Sequence, residues 1–332
     1  MAHSLRSDAD AILSRLKQEK VTALYHFTSV KNLPYICRAQ ALYSKRELMA
    51  RGMLSHIDTG GNDLSLSLDQ RNDNWNKVSL NLTPYTPMAY NKKREQHLCF
   101  FLIVPDVAAL SGTIFTDTNA ASIAHRRGEG LEGLDCINFD VIRSISRIDR
   151  EIWKKHIQAE VLVPNFVSFD YIAEVGFISK ASMKHSERLC GSLQHPPFSL
   201  KPQLFTDSRL ASQETIGFSY VRDFVLIDTN IDKNVLYLPH EQKNKFSKKI
   251  NNYIVAVAVV RAMAGVRAKV MLRQIATSGR KDRIAGVSEF ERSNQYKCEY
   301  QISLDELPVG VYSIEYYLND LCWASSNFEV VQ

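Results

Sequence analysis

The stretch HIQAEVLVP, residues 156–164, places two strongly polar side chains at the start of an apolar run. Its aliphatic and β-branched residues predict a buried strand. Because alternate side chains of a strand share a face, we expect Gln158 and Glu160 to project together, opposite the intervening Ala159. A carboxylate beside an amide can hold a sugar hydroxyl and stabilise positive charge at its anomeric carbon. A strand edge whose polar end meets water explains the same residues, so the motif alone leaves both interpretations open.

The composition is that of a globular protein. Of the 332 residues, 45% are hydrophobic and 23% are charged, which excludes a disordered or fibrous chain. The formal charge of +5 modestly favours an anionic partner. The six cysteines are scattered without a CxxC pair, which is typical of reduced thiols in a cytoplasmic protein and gives no indication of a metal site.

The N-terminal residues lack the apolar core of a signal peptide. No apolar run approaches the roughly 20 residues that a membrane-spanning helix requires. We therefore expect a cytoplasmic protein with no membrane partner. The chain also contains no P-loop, HExxH or GxSxG motif, which argues against Walker-type nucleotide hydrolysis and the common hydrolases.

The order of strand-like and helical runs predicts an α+β fold class with two domains. Short strands and helices over residues 1–183 predict the first domain. Residues 184–249, which include a stretch rich in Ser, Gln, Pro and His, predict a linker or irregular extension. Regularly spaced strand-like runs over 250–332 predict a smaller antiparallel, immunoglobulin-like β-sandwich. Within it, YIVAVAVVRAMAGV also fits a helix.

Polar residues near the first predicted strand suggest a phosphate site. His26 lies between apolar neighbours, where a histidine is most often a core residue with satisfied hydrogen bonds. Thr28 and Asn32 add a hydroxyl and an amide near the start of a predicted helix, a suitable cradle for a diphosphate. Arg71, in a long polar loop, is either a solvated charge or a fork that grips phosphate.

A basic and aromatic cluster precedes the Gln158–Glu160 pair. Cations suit phosphates and an indole suits base stacking, which is what an unpaired nucleic-acid strand requires. A solvated helix face with its tryptophan in the core is an equally good interpretation. The residues are Arg147, Arg150, Trp153, Lys154, Lys155 and His156.

Taken in order, five segments resemble the DarT family, the ADP-ribosyltransferase toxins that modify bases of single-stranded DNA. Together they cover about residues 20–180, and their joint order is far more specific than any one of them. The segments are LYHFTSVKNLPYI, VSLNLTPYTPMAY, IFTDTNAAS, IQAEVLVP and FDYIAEVGFI. Where many members carry PRSPM, this chain has PYTPM (residues 84–88), without the arginine.

The resemblance implies a mono-ADP-ribosyltransferase fold, a split β-sheet whose cleft binds NAD+ as a consumed co-substrate, with no metal. Glu160 matches the catalytic glutamate of the family, and Arg71 matches the arginine that works beside it. Gln158 would orient the incoming base. The NAD-binding positions of the family correspond to His26, Thr28, Asn32, Asn119 and Ala120.

The resemblance also implies a toxin of a toxin-antitoxin or phage-defence system, with a cognate antitoxin that is either an inhibitor or a macrodomain hydrolase. The acceptor would be single-stranded DNA or RNA. Two alternatives stay open at this point. One is a transferase with a protein acceptor, and the other is an inactive module that binds nucleic acid. The C-terminal β domain lies outside the resemblance.

Overall fold

The computed structural model describes residues 4–58, 74–122, 125–144, 149–206, 216–228, 242–275 and 282–332. The chain divides into two compact units. Unit 1 comprises Met1–Gly176 with Ser192–Ile216, and unit 2 comprises Phe177–Gly191 with Gly217–Gln332. This division differs from the predicted bounds of 1–183, 184–249 and 250–332, because the segment predicted as a linker contributes elements to both units.

Unit 1 is built from short helices around β-strands. The helices are α1 (Ala9–Gln18), α2 (Leu33–Ala39), α3 (Lys45–Ala50), α4 (Pro87–Glu95), α5 (Gly130–Leu134), α6 (Phe139–Arg143) and α7 (Arg150–His156). The strands are β1 (Leu24–Ser29), β2 (Ala41–Tyr43), β3 (Lys77–Asn81), β4 (Leu98–Ile103), β5 (Ile114–Thr116), β6 (Arg127–Glu129), β7 (Glu160–Pro164), β8 (Phe166–Ser168), β9 (Ile172–Phe177) and β10 (Phe198–Leu200). Among the described residues, 3₁₀ turns occupy Val30–Asn32, Leu54–His56, Pro105–Ala109, Phe169–Tyr171 and Pro202–Phe205.

Side-chain caps determine where several of these helices begin. Ser44 accepts a hydrogen bond from the Glu47 N–H in the first turn of α3, and Thr86 does the same for Ala89 in α4. Such caps satisfy N–H groups that have no partner within the helix. In α4, Pro87 at the first helical position adds a φ angle that already suits a helix.

The main sheet of unit 1 runs in the order β10-β9-β4-β1-β3-β7-β5-β6. Strand β4 is a continuous apolar run, and most of its side chains are buried, which explains why both of its faces are hydrophobic. At the centre, β1 and β3 share a single paired position, Tyr25 with Asn81. The sheet therefore opens between these two strands, as the predicted split sheet requires.

Strand β7 is shorter than the sequence predicts. It begins at Glu160, and Gln158 lies in the turn that follows α7 rather than on the strand. The N–H groups of Gln158 and Ala159 donate to the carbonyls of Lys155 and His156. Because these backbone groups are satisfied by the end of the helix, they are not available to a sheet. The expected alternation of Gln158 and Glu160 along one strand is therefore wrong.

A glycine pattern, GEGLEG over residues 128–133, spans the end of β6 and most of α5. Patterns of this kind at a strand-to-helix turn often bind the phosphates of a dinucleotide. Here the Leu131 N–H donates to the Asp8 carboxylate at 3.0 Å, and a Cβ on Gly133 would lie 2.2 Å from the Gly128 backbone. The glycines therefore serve close packing, and the turn is closed by an acidic side chain.

Unit 2 combines one helix, α8 (Lys180–Cys190), with two β-sheets in its described residues. One sheet has the order β11-β13-β16 and the other β12-β18-β17-β14-β15. The strands are β11 (Tyr220–Ile227), β12 (Lys245–Ser247), β13 (Tyr253–Ala262), β14 (Val266–Gln274), β15 (Asp282–Phe290), β16 (Asn294–Ser303), β17 (Gly310–Leu318) and β18 (Leu321–Val331).

These strands confirm the predicted antiparallel β-sandwich. All described pairs in the two sheets are antiparallel except β12 with β18, which is parallel. Apart from β12, which adds a fifth strand to the larger sheet, the order reproduces strands A, B and E against C′, C, F and G of an immunoglobulin domain. The apolar run that also fitted a helix forms β13, which is buried on both faces. Strands β11 and β12 lie within the predicted linker, so the sandwich begins earlier than residue 250.

Aromatic side chains join the two sheets. Tyr316 of one sheet lies 5.9 Å, centroid to centroid, from both Phe224 and Tyr300 of the other. Near the start of β17, the Tyr312 hydroxyl donates to the Pro308 carbonyl at 2.7 Å, the tyrosine corner of immunoglobulin-like domains. Two residues later, buried Ile314 stands where antibody domains carry a cysteine. None of the described cysteines forms a disulfide bond.

None of the helices in the described part of the chain has the length and hydropathy needed to cross a bilayer.

Removing the Tyr312 hydroxyl should destabilise unit 2. We expect Tyr312→Phe to lower the free energy of unfolding by about 1–2 kcal/mol, because the Pro308 carbonyl loses its donor while the ring still packs. Faster hydrogen exchange in β17 peptides measures the loss. Tyr253→Phe makes the same chemical change on a ring that is 38% exposed and should have no effect. Equal exchange in the two variants would contradict this account.

Candidate active site

A cavity of about 400 Å³ opens where β1 and β3 diverge. Its wall combines side chains from β1, β3, the start of β7 and the segment after β5. Six residues that the sequence singled out line it together: His26, Thr28, Asn119, Ala120, Gln158 and Glu160. Residues that are far apart in sequence therefore converge on one site.

Two donors from the described residues bind the carboxylate of Glu160. The Ser79 hydroxyl donates to Oε1 at 2.8 Å, and the Ala120 N–H donates to Oε2 at 2.8 Å. The Glu160 N–H in turn donates to Thr116 Oγ1 at 3.2 Å. Hydrogen bonds to a charged acceptor are stronger than neutral ones. Glu160 is therefore presented in one orientation, with its negative charge at the cavity wall.

His26 takes the place of a missing strand-to-strand hydrogen bond. Its Nδ1 lies 3.0 Å from the Ser79 carbonyl oxygen, and because a carbonyl only accepts, Nδ1 carries the proton. Nε2 is left as the acceptor in the neutral ring. Burial lowers the pKa of His26 below its usual value of 6.5, although the bond to Ser79 acts in the opposite direction. The ring is therefore neutral at pH 7.

Asn32 does not line the cavity. Its Nδ2 donates to Thr28 Oγ1 at 2.9 Å and to the Asp58 carbonyl at 3.0 Å. Its Oδ1 accepts from the Asp58 N–H at 2.9 Å. The side chain is buried and fully engaged by protein groups. Asn32 therefore holds Thr28 and the chain at Asp58, and its part in NAD+ binding stays a prediction.

Gln158 lines both the cavity and an adjacent shallow groove of about 510 Å³. Its Nε2 donates to the Lys154 carbonyl at 2.8 Å, one turn back in α7. Helix α7 itself is capped by Asp149, whose Oδ1 accepts from the Glu151 and Ile152 N–H groups. The turn thus places Gln158 at the junction of cavity and groove.

The predicted nucleic-acid residues are divided by the structure. Lys154 and Lys155 line the groove, and Arg150 is exposed at the start of α7. Trp153 and His156 are half-buried, and the Trp153 indole N–H and His156 Nδ1 are buried without a partner in the described residues. The half-buried Trp153 ring thus has its N–H turned inward, and its role in stacking stays a prediction.

Arg71 and Arg147 lie outside the described residues. Among the described residues, no group of three or more His, Cys, Asp and Glu side chains is arranged to hold a metal ion.

Sequence reasoning missed two polar residues of this site. Ser79 lies on β3, where Lys77, Ser79 and Asn81 alternate with buried Val78 and Leu80, so the alternation contained the signal. Asn74 is only 8% exposed, and its Nδ2 donates to the Ala120 carbonyl at 3.2 Å. Its Oδ1 has no partner in the described part of the chain. No local pattern marks Asn74, because its partner lies 46 residues away.

A carboxylate fixed beside a histidine and several amides is suited to chemistry at a sugar carbon. It can stabilise positive charge that develops at an anomeric centre and can accept a proton from an incoming nucleophile. The adjoining groove is lined by Lys154, Lys155 and Glu151. Because Glu151 pairs with the Lys154 ammonium at 2.7 Å, the excess positive charge that favours anions there comes from Lys155.

Several solved structures are similar to a little more than half of this chain. Thermus sp. 2.9 DarT in complex with NAD+ is 16% identical, with a TM-score of 0.45, and the match covers 56% of this chain and 98% of that chain. The same protein in complex with ADP-ribosylated ssDNA is 17% identical, with a TM-score of 0.43 and coverage of 56% and 96%. Thermosipho africanus DarTG in complex with ADP-ribose is 20% identical, with a TM-score of 0.46 and coverage of 55% and 51%. No curated protein gives a significant match.

Residues 25–206 match the family model described as "DarT: ssDNA thymidine ADP-ribosyltransferase, DarT". The matched range contains the cavity, the groove, strand β7 with Glu160, and the two strands that pair with β7, β3 and β5. It ends before the first strand of the β-sandwich, β11. Because the match spans more than half of the 332 residues, the resemblance found in the sequence is confirmed, and the chain belongs to the DarT family of ADP-ribosyltransferases.

Proposed function

We propose that this chain transfers ADP-ribose from NAD+ to a base of single-stranded DNA. The observation that carries the proposal is the Glu160 carboxylate, held by Ser79 and Ala120 in the wall of a cavity that adjoins a lysine-lined groove. The cavity would hold NAD+, and the groove would hold the strand.

Transfer requires that the bond between nicotinamide and its ribose breaks as the base attacks. Glu160 would stabilise the positive charge that develops at the ribose carbon. It would then accept the proton that the attacking nitrogen releases. Ser79 and Ala120 keep the carboxylate in place, so no reorganisation is needed when the charge appears.

For NAD+ binding we propose His26, Thr28, Asn119 and Ala120, which line the cavity. Asn32 would act through Thr28 and Asp58. Arg71, outside the described residues, would supply a charge for the diphosphate or beside Glu160. NAD+ is consumed in this scheme, and the proposed chemistry uses no metal.

The strand would follow helix α7. Lys154 and Lys155 line the groove next to Gln158, and Arg150 is exposed on the same helix. Phosphate contacts position a strand, and a side chain at the site then reads the base. We therefore assign positioning to the lysines and base recognition to Gln158.

We further propose that the enzyme is a cytoplasmic toxin of a toxin-antitoxin or phage-defence system, neutralised by a cognate antitoxin. A base that carries ADP-ribose cannot pair normally, so modification of single-stranded DNA would stop replication. Expression of the wild-type chain should then arrest growth, and expression of a chain without Glu160 should not.

Replacing Glu160 tests the central claim. We expect Glu160→Gln to lower transfer at least about a hundredfold, because the amide keeps the shape but loses the charge that stabilises the ribosyl cation. Purified protein is incubated with labelled NAD+ and separate pools of single-stranded DNA, RNA and cell protein. Label should enter the DNA pool only with wild-type protein.

The matched control is Glu132→Gln, which changes an exposed side chain of α5. It should transfer at the wild-type rate. If label entered only the protein pool or only the RNA pool, that molecule, and not single-stranded DNA, would be the acceptor. An undiminished rate in Glu160→Gln would reject the mechanism.

Lysine substitutions test the groove. We expect Lys154→Ala/Lys155→Ala to raise the KM for single-stranded DNA and to reduce its salt dependence, with the log–log slope falling by about 0.7 per lost phosphate contact. Lys248→Ala/Lys249→Ala removes a similar adjacent pair from unit 2 and should leave KM unchanged. Equal effects of both pairs would mean that general charge, rather than the groove, binds DNA.

The pH profile tests His26. Because burial holds the pKa of His26 below 6.5, the ring gains a proton only in acid. Ser79 binds both His26 and Glu160, so the positive charge would lie close to the carboxylate. It would destabilise the positive charge that develops on the ribose. We expect kcat/KM to fall as pH drops below 6.5. In His26→Gln, which cannot titrate, this part of the decline should be absent, and an unchanged profile would exclude His26 as its source.

A further inference from the structure

We propose that unit 2 binds single-stranded DNA at a basic surface formed by β11, β13 and α8, and that this surface holds a stretch of the strand that is not being modified. The β11 surface consists of Lys180, Lys184, Tyr220, Arg222 and Arg261, all of which belong to unit 2. The inference rests on the proposed function, because it adds a second contact for the proposed acceptor.

The register of β11 and β13 places a tyrosine beside an arginine. Tyr220 and Arg261 are directly paired, and so are the next residues inward, Val221 and Val260. Both valines are fully buried. Because alternate side chains of a strand point to opposite faces, Tyr220 and Arg261 lie together on the outer face of the sheet, where both are partly exposed.

A β-bulge adds a second arginine. The register shifts between Val221 and Asp223, so Arg222 is the extra residue of β11, and its side chain is exposed. Bulges commonly redirect a side chain in this way. Burial raises the pKa of Tyr220, whereas Arg222 and Arg261 act to lower it, because both guanidinium groups lie near the hydroxyl. The tyrosine is therefore flanked by two cations.

Helix α8 brings two lysines to the same surface. Ser179 caps the helix, and its hydroxyl donates to the Val221 carbonyl at 2.6 Å. This bond fixes the start of α8 next to the bulge, with Lys180 as the first residue of the helix. Lys184 follows four residues later, so the two lysines share one face of α8.

The cations of the β11 surface are not neutralised by carboxylates. None of the four forms an ion pair within the described part of the chain, and neither do the acidic residues closest to them in sequence, Asp223 and Glu187. Most other cations of unit 2 are paired: Arg188, Lys243, Lys245, Arg267, Lys269, Arg273, Arg283 and Lys297. Unneutralised cations close together create a positive potential that attracts an anionic ligand.

A half-exposed ring between guanidinium groups suits an unpaired strand. Guanidinium groups bind phosphates, and an unpaired base stacks on an aromatic ring. A duplex keeps its base faces inside the helix, and an acidic protein offers no bases to stack. The β11 surface therefore fits single-stranded DNA better than either. Because every base has a face that can stack, it would hold the strand without reading its sequence.

Removing both arginines tests the surface. Full-length protein is titrated, without NAD+ so that no transfer takes place, into a labelled single strand of about 30 nucleotides, which exceeds a single site of about 4–16. We expect Arg222→Ala/Arg261→Ala to raise Kd about tenfold. The slope of log Kd against log salt concentration should fall by about 1.4, at about 0.7 for each lost phosphate contact.

The matched control is Lys248→Ala/Lys249→Ala. It removes two further cations that form no ion pair within the described residues and that lie near the opposite end of β13 from Arg261. Kd and the salt slope should stay at their wild-type values in this control. An unchanged Kd in the arginine variant, or an equal rise in both variants, would overturn the inference.

Variants of Tyr220 test stacking. Tyr220→Phe keeps the ring and should bind the single strand about fivefold more tightly than Tyr220→Leu, which loses it. The two variants should bind a duplex of the same length equally. A fivefold difference with the duplex as well, or no difference with the single strand, would contradict the assignment to unpaired DNA. Because binding is measured without NAD+, the expected shifts in Kd would support the β11 surface even if the wild-type protein transferred no label and the proposed function failed.

Discussion

The hydrogen bonds to the Glu160 carboxylate tie the chemistry of this protein to the register of its sheet. One donor, Ser79, belongs to β3, and the other, Ala120, follows β5. Both strands flank β7, where Glu160 is paired with Asn81 on one side and Thr116 on the other. A slip of one residue would turn every side chain to the opposite face. The site therefore exists only when three strands that are distant in sequence align as they do here.

The opening of the sheet makes room for a ligand at this point. With one paired position between β1 and β3, backbone groups near the split need partners other than a neighbouring strand. His26 supplies a donor to one of them. Asn32 likewise binds the N–H and the carbonyl of Asp58, and it also donates to the Thr28 hydroxyl. Side chains thus satisfy backbone groups that a continuous sheet would have satisfied, and the space between the strands stays open.

The sequence-based predictions were correct where short stretches of sequence determine the structure. The α+β class, the β-sandwich and the family follow from alternation, turn spacing and ordered motifs. Gln158 was predicted to lie on a strand because aliphatic residues follow it. Its N–H instead donates to the Lys155 carbonyl at the end of the capped helix α7. The bond from Asp58 to Asn32 could not be predicted, because the two residues lie 26 positions apart in the sequence. Strands β11 and β12 were missed because they lie in a stretch judged as a whole to be irregular.

Because His26 binds Ser79, a histidine at this position in a homologue does not by itself indicate that the homologue is an active enzyme. A residue whose ring closes a gap in the sheet contributes to folding whether or not the enzyme turns over, since the Ser79 carbonyl needs a donor in either case. Selection for a stable fold would therefore keep the histidine in a descendant that had lost all transferase activity. A survey of homologues that counted this position as a mark of catalysis would overestimate the number of active enzymes, and the proposed catalytic residue, Glu160, is the better diagnostic.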